Sequence, residues 1–294
     1  MAPLDLVRLT PLIDRTSGRP EVTIGLIDGP VVINHPELAS QHIREIPGNG
    51  SGACTQASST ACLHGTFVAG ILSAKRGSVA PAICPNCTLL VRPIFAETTA
   101  ANGEMPSAMP EELAQAILDC IEAGARVLNI SAALAQPSMK NERTLEEALD
   151  QAARRGVIVV AAAGNQGTLG STAITCHPWV IPVVGYDLQG RPMNHSNLGS
   201  SIGRRGLGAP GYRITSLGAE GEPLTFGGTS AAAPFVTGAV ALLWSEFPNA
   251  SGTAIKFAIT QPYSRRRNTV VPPLLDAWMS YQSLQATNTR RRLL

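Results

Sequence analysis

The chain has few aromatic residues, few charges and no long uninterrupted apolar run, and each shortage narrows what it can be. Aromatics are 4% of the 294 residues and charged residues 15%, against 44% hydrophobic. With so few rings, a core must be filled by aliphatic and small side chains, which suits close packing of strands on helices. A net charge of +2 offers no basis for binding nucleic acid or an anionic membrane surface. The most apolar stretches, Val157–Ala163 and Ala231–Trp244, are too short or too interrupted by Pro and Gly to span a bilayer. The first twenty residues carry Asp5, Arg8, Asp14 and Arg15 without an apolar core, so no secretory signal is expected and a cytoplasmic location is.

Six cysteines leave the compartment open. Cys54 and Cys62 fall in the small-residue loop Gly48–Cys62, and Cys84 and Cys87 form a C-x-x-C in another loop. A zinc site would need further ligands at suitable spacing, so isolated thiols or a local disulfide are expected, with no metal and no cofactor. Cys120 and Cys176 read as small core residues, and His35, His42, His177 and His195 as structural.

Apolar runs of strand length recur at Val22–Ile27, Leu89–Phe95, Val127–Ile130, Val157–Ala162 and Val180–Gly185. Most are continuous rather than alternating, as in parallel strands covered on both faces. Between them, Pro110–Ala123 opens Pro-Glu-Glu and stops at Gly124, and Thr144–Arg155 opens with the capping pattern T-x-x-E. Alternating strands and helices predict an α/β fold: one domain over 1–294, a mostly parallel twisted sheet with helices on both faces. Residues 1–21 are read as an N-terminal segment and 265–294 as a basic C-terminal extension. In such sheets, sites gather beyond the carboxyl ends of the strands.

Three polar residues sit at such ends or at helix starts. Asp28 closes the first apolar strand, where an unpaired carboxylate is costly. His64 opens His64-Gly65-Thr66-Phe67-Val68-Ala69-Gly70, at or near a helix N-terminus whose dipole keeps an imidazole neutral. Ser230 lies where Gly227-Gly228-Thr229 turns into a long apolar helix containing Pro234. Singly, the aspartate and the histidine are more often structural than catalytic, and the serine could simply be an N-cap.

Together, the blocks Ile24–Gly29, His64–Gly70, Ala161–Gly167 and Gly228–Pro234 resemble the subtilisin family of serine peptidases, in that family's order of Asp, His and Ser. Leu207-Gly208-Ala209-Pro210-Gly211 and Val127–Ser131 extend the likeness. The resemblance implies a serine endopeptidase in which Ser230 attacks, His64 carries the proton, Asp28 orients the imidazole, and Asn165 joins the Ser230 N–H in an oxyanion hole. It further implies a peptide or protein substrate held by Ser131, Ala132 and Ala133 on one side and Ala162, Ala163 and Gly164 on the other.

The chain departs from that pattern at Phe67 and Phe235, positions often held by His, and at Ala231, often Met. Secreted members carry a long pro-segment and an Asn-rich calcium loop. Only 27 residues precede Asp28 here, and Ala74–Pro81 is short and without carboxylates, so no calcium is expected and intracellular work is. Leu26-Ile27-Asp28-Gly29-Pro30-Val31, His35-Pro36 and Arg92-Pro93-Ile94-Phe95 look like the proteases of cyanobactin biosynthesis, which remove the leader from a precursor peptide. Relatives that also macrocyclise insert a helix between aspartate and histidine; only 35 mostly loop-like residues lie there in this chain, so hydrolysis is expected. Arg265–Arg267 and Arg290–Arg292 read as a solvated surface and tail.

Overall fold

The computed structural model describes residues 1–39, 42–46, 48, 52–97, 108–131, 142–260 and 268–292. Its centre is a parallel sheet in the order β2-β3-β1-β4-β5-β6-β7. The strands are β1 (Thr23–Asp28), β2 (Ile43–Glu45), β3 (Thr88–Pro93), β4 (Val127–Ile130), β5 (Ile158–Ala162), β6 (Val180–Tyr186) and β7 (Leu207–Pro210). A separate antiparallel pair joins β8 (Ile214–Leu217) to β9 (Pro223–Phe226).

The continuous apolar runs have the expected cause. Successive strand residues face opposite sides, so a strand covered twice must be apolar throughout. Leu26, Val127, Ile158 and Val160 enter one core, whereas Ile27, Leu128, Val159 and Ala161 enter the other. The second core is closed by α4 (Pro110–Glu122) and α5 (Glu142–Arg155); the first by α3 (Thr60–Ser73), α8 (Thr229–Glu246), α9 (Gly252–Thr260) and α10 (Ala277–Arg292). Short helices α1 (Pro3–Leu6), α2 (Thr10–Arg15), α6 (Ala173–Cys176) and α7 (Ser200–Arg205) fill the margins.

Several local expectations are corrected. The helix ending at Arg155 starts at Glu142, which places Thr144 inside its first turn rather than at its cap. The loop before the histidine ends at Ser59, whose hydroxyl caps α3 by accepting from the Cys62 N–H at 3.2 Å. Cys62 is therefore helical, and it forms a disulfide with Cys54, eight residues earlier. Cys176 is exposed at the end of α6 rather than in the core, because that helix is one turn long on the surface; Cys84, Cys87 and Cys120 are buried free thiols.

The terminal segments belong to the body of the domain. Val7, Leu9 and Leu12 are fully buried in the N-terminal segment. Within the expected basic tail, α10 buries Ala277, Tyr281 and Leu284. The Tyr281 ring stacks on Trp278 at 4.9 Å and lies beneath the Arg15 guanidinium at 4.8 Å. Arg265, Arg266 and Arg267 lie outside the described residues, as do residues 98–107, most of the segment between β3 and α4.

Arg92 is a buried cation in the apolar second face of β3. It is held by Glu112 at 2.9 Å and Asp119 at 2.8 Å, both on α4, and donates to its neighbour's Pro93 carbonyl at 2.6 Å. A charge taken from water needs this degree of pairing. The cluster thus pins α4 beside the strand adjoining Asp28, whose carbonyl accepts from the Ile94 N–H at 2.8 Å.

Candidate active site

Asp28, His64 and Ser230 are drawn from three distant stretches of chain into one hydrogen-bonded row. Asp28 ends β1, a central strand, and is fully buried. Its Oδ1 accepts from the Gly29 N–H at 2.6 Å and lies 2.7 Å from His64 Nδ1. His64 Nε2 lies 3.0 Å from the Ser230 hydroxyl. A carboxylate can only accept, so Nδ1 carries the proton and Nε2 is left to accept from Ser230.

His64 is held by close packing of α3 on the strand end. A Cβ at Gly65 would stand 2.4 Å from the Gly29 carbonyl oxygen, so only glycine lets the helix approach this closely. The imidazole stands in the second turn of α3, beyond the first turn where the helix dipole acts most strongly. Burial, the largest influence, drives its pKa down, but the charge of Asp28 and the hydrogen bond to it together outweigh burial. His64 therefore lies above the ordinary histidine value, and the expectation of a dipole-neutralised base gives way to one set by Asp28. The Phe226 ring lies 6.2 Å from the imidazole and meets Phe67 edge-on at 5.2 Å. Phe67 thus forms part of an apolar backing to the histidine.

Ser230 is the second residue of α8, entered through Gly228 at φ 122°, where L side chains are strained. A Cβ there would also press on the Asn165 amide at 3.1 Å. Asn165 is exposed just past β5. Its Oδ1 accepts from the Thr229 N–H at 2.9 Å and the Thr229 hydroxyl at 3.1 Å. Since a backbone N–H must meet an acceptor, the amide is fixed with its oxygen on Thr229 and its NH2 presented outward as a donor. That is the orientation an oxyanion requires.

Thr229 and Asn197 have orienting roles that sequence reasoning missed. The Thr229 hydroxyl also accepts from the Gly164 N–H at 3.1 Å, joining α8 to the end of β5. Asn197 Oδ1 accepts from the Gln166 and Thr168 N–H groups, and its amide donates to Gln166 at 2.7 Å, fixing the turn that carries Asn165. Thr229 lies within the serine motif, directly before Ser230, and is legible there; nothing local to Asn197 marks it.

Of the expected pocket residues, Ala162, Ala163 and Gly164 lie buried at the end of β5. The Ala163 N–H is bonded to the Val183 carbonyl and the Gly164 N–H to Thr229, so neither is left for a substrate. Ser131 is buried beside Ser230, its hydroxyl donating to the Ser230 carbonyl at 3.5 Å. Ala132 and Ala133 lie outside the described residues. Among the described residues, the one group with metal-ligand proximity is Cys54, Cys62 and Glu97, whose two sulfurs are bonded to each other. His35 and His177 are buried in local hydrogen bonds, His177 lying 3.2 Å from Asp150. No described helix is long and apolar enough to cross a membrane.

A hydroxyl on a general base, the base on a buried carboxylate, and a fixed amide donor beside them make the machinery of nucleophilic acyl transfer. The subtilase family model matches residues 19–271, and the chain belongs to that family. Fervidolysin of Fervidobacterium pennivorans is 28% identical over 86% of this chain, which spans 39% of that protein's length. Among solved structures, a mutant of the protease domain of PatA superposes with a TM-score of 0.82 at 27% identity, covering 92% of this chain and 97% of that one. The prenylagaramide maturation protease PagA gives a TM-score of 0.80 at 25% identity, covering 94% and 98%.

Proposed function

We propose that the chain is a serine endopeptidase that removes the leader from a ribosomally made precursor peptide. The observation carrying this reading is the row Asp28–His64–Ser230, at 2.7 and 3.0 Å, with the Asn165 amide turned outward beside it. Ser230 Oγ attacks the scissile carbonyl as its proton passes to His64 Nε2, and Asp28 balances the resulting imidazolium. The Ser230 N–H and the Asn165 NH2 bind the oxyanion. Collapse of the tetrahedral intermediate breaks the C–N bond, and His64 returns the proton to the departing amine. Water, deprotonated by His64, then attacks the acyl-enzyme and regenerates Ser230.

The substrate class is supported by likeness to PatA and to PagA, named a maturation protease, over more than nine-tenths of each chain. Hydrolysis rather than cyclisation is supported by the described residues between Asp28 and Ser59, which contain β2 and no α-helix. A cytoplasmic setting belongs to this reading and has a consequence: cytosolic reductants would keep Cys54 and Cys62 open, so thiol trapping in cells reports the compartment.

Labelling by a fluorophosphonate, compared with Ser230→Ala, tests the nucleophile; digestion of casein against leader-bearing peptides tests the substrate. Ser230-dependent labelling with poor casein cleavage supports the proposal. Rapid casein digestion would favour a general degradative peptidase. Equal weak labelling of both proteins would leave a peptide-binding scaffold.

A further inference from the structure

Pro234 lies in α8 four residues beyond Ser230. In a regular helix the N–H at that position bonds the carbonyl four residues earlier, and proline has none. The carbonyl of the nucleophile is therefore denied its ordinary helical donor. Ser131, one residue past β4, reaches the same carbonyl from outside the helix, its hydroxyl donating at 3.5 Å.

That hydroxyl is itself held. Asn129 Nδ2 donates to Ser131 Oγ at 2.7 Å, and the Thr237 hydroxyl donates to Asn129 Oδ1 at 2.8 Å. Asn129 and Thr237 have no solvent exposure, and Ser131 has 7%. With its oxygen accepting from Asn129, Ser131 is left to spend its proton on the Ser230 carbonyl. Thr237 and Ser230 lie on one face of α8, about two turns apart. The chain of hydrogen bonds thus leaves α8, passes through the end of β4 and returns to α8 at the nucleophile.

We propose that Ser131 is a positioning residue, supplying the hydrogen bond that Pro234 withholds from the Ser230 carbonyl, with Asn129 and Thr237 fixing its direction. The first turn of α8 is then set by the sheet rather than by the helix alone. This holds Ser230 Oγ on His64 and its N–H toward the oxyanion. The inference rests on the endopeptidase reading and adds residues outside its triad.

The test is a double-mutant cycle between Ser131→Ala and Pro234→Ala, read as kcat and KM on an internally quenched peptide. Ser131→Ala should lower kcat about tenfold, the scale of one hydrogen bond, with KM changed less than about twofold. Pro234→Ala restores a backbone donor, so in that background Ser131→Ala should cost less than about twofold. Ser131→Thr keeps the hydroxyl and should retain most of kcat, a comparison that stands even where Pro234→Ala folds poorly. An equal cost of Ser131→Ala in both backgrounds overturns the proposal. So does a rise in KM with kcat intact, which would make Ser131 a pocket wall. Fluorophosphonate labelling of the wild type separates the two readings: a labelled wild type with an indifferent Ser131→Ala removes this proposal alone, whereas an unlabelled wild type removes the endopeptidase.

Discussion

Replacing Asp28 by asparagine isolates what the carboxylate's charge does from what its geometry does. The Gly29 N–H, at 2.6 Å, and His64 Nδ1, at 2.7 Å, address the same oxygen, Oδ1. An asparagine must keep its carbonyl oxygen there to satisfy the backbone donor, which sends its NH2 to the Oδ2 side. His64 then keeps both its acceptor and its tautomer; the charge is lost, and the NH2 takes a buried position where Oδ2 of the wild type has no hydrogen-bond partner. Two charges about 4 Å apart at an effective dielectric of about 20 interact by about 4 kcal/mol, or roughly a thousandfold in rate. Both influences raising the His64 pKa come from Asp28, so the variant leaves burial as the dominant one. Activity needs neutral His64, so its acid limb lies above the ordinary value of about 6.5 in the wild type and falls below it in Asp28→Asn. The linked stability follows the same sign. A raised histidine pKa stabilises the fold fully below about pH 6.5, an effect lost as pH rises through the folded value, and the variant removes it. The assay is the second-order rate of fluorophosphonate labelling across pH at fixed ionic strength, with 15N shifts reporting the tautomer. An acid limb that stays put or moves upward would refute the reasoning. A proton found on Nε2 would show that the amide had turned, with a loss nearer ten-thousandfold.

Thr229→Val keeps the shape of the side chain but removes the hydroxyl from Asn165 and leaves the buried Gly164 N–H unsatisfied. It should lower kcat by about ten- to a hundredfold with KM little changed, less than the hundred- to thousandfold expected for Asn165→Ala, a range measured on a subtilisin asparagine. Reducing the Cys54–Cys62 disulfide, which closes a loop of sequence separation 8, should cost roughly 2.5 kcal/mol in urea unfolding, with opening verified by thiol count. Tyr281→Ala removes a buried ring packed on Trp278 and on Phe247 at 5.3 Å, and should cost about 3 kcal/mol by the same measurement. An unchanged midpoint there would mean that α10 is not part of the cooperative fold.

Much of the fold was legible because burial on both faces leaves a mark that single residues carry. The strand Val127–Ile130 is legible to the residue, since each of its side chains must suit an apolar or tightly bonded neighbour. The same rule hid α10. Its sequence, Ala277–Arg292, is polar on average, and its described buried residues are Ala277, Ser280, Tyr281 and Leu284, with Trp278 packed partly buried beside them, too sparse a stripe to stand out beside three arginines. Thr144 reads as a cap because T-x-x-E matches the capping pattern, but the helix begins two residues upstream at Glu142, so the pattern falls inside it. The exposure of Cys176 follows from the surface position of α6, which the sequence does not encode locally.

The groups proposed to react and the groups that aim them obey different constraints, and only the former stand in blocks that the sequence marks as motifs. Asp28, His64, Asn165 and Ser230 each sit in a block whose glycines and small residues permit one local shape. Their aiming partners reach them across the fold: Thr229 of α8 turns Asn165 beyond β5, and Asn129 and Ser131 near β4 reach α8. These links hold only in one register. Leu128 and Ile130 fill the α4 side of the sheet while Asn129 faces α8. A slip of one residue in β4 would send Asn129 and Ser131 to the α4 core and Leu128 and Ile130 toward the nucleophile. The apolar demand of the second core therefore fixes the polar face of β4, and through it the direction in which Ser230 points.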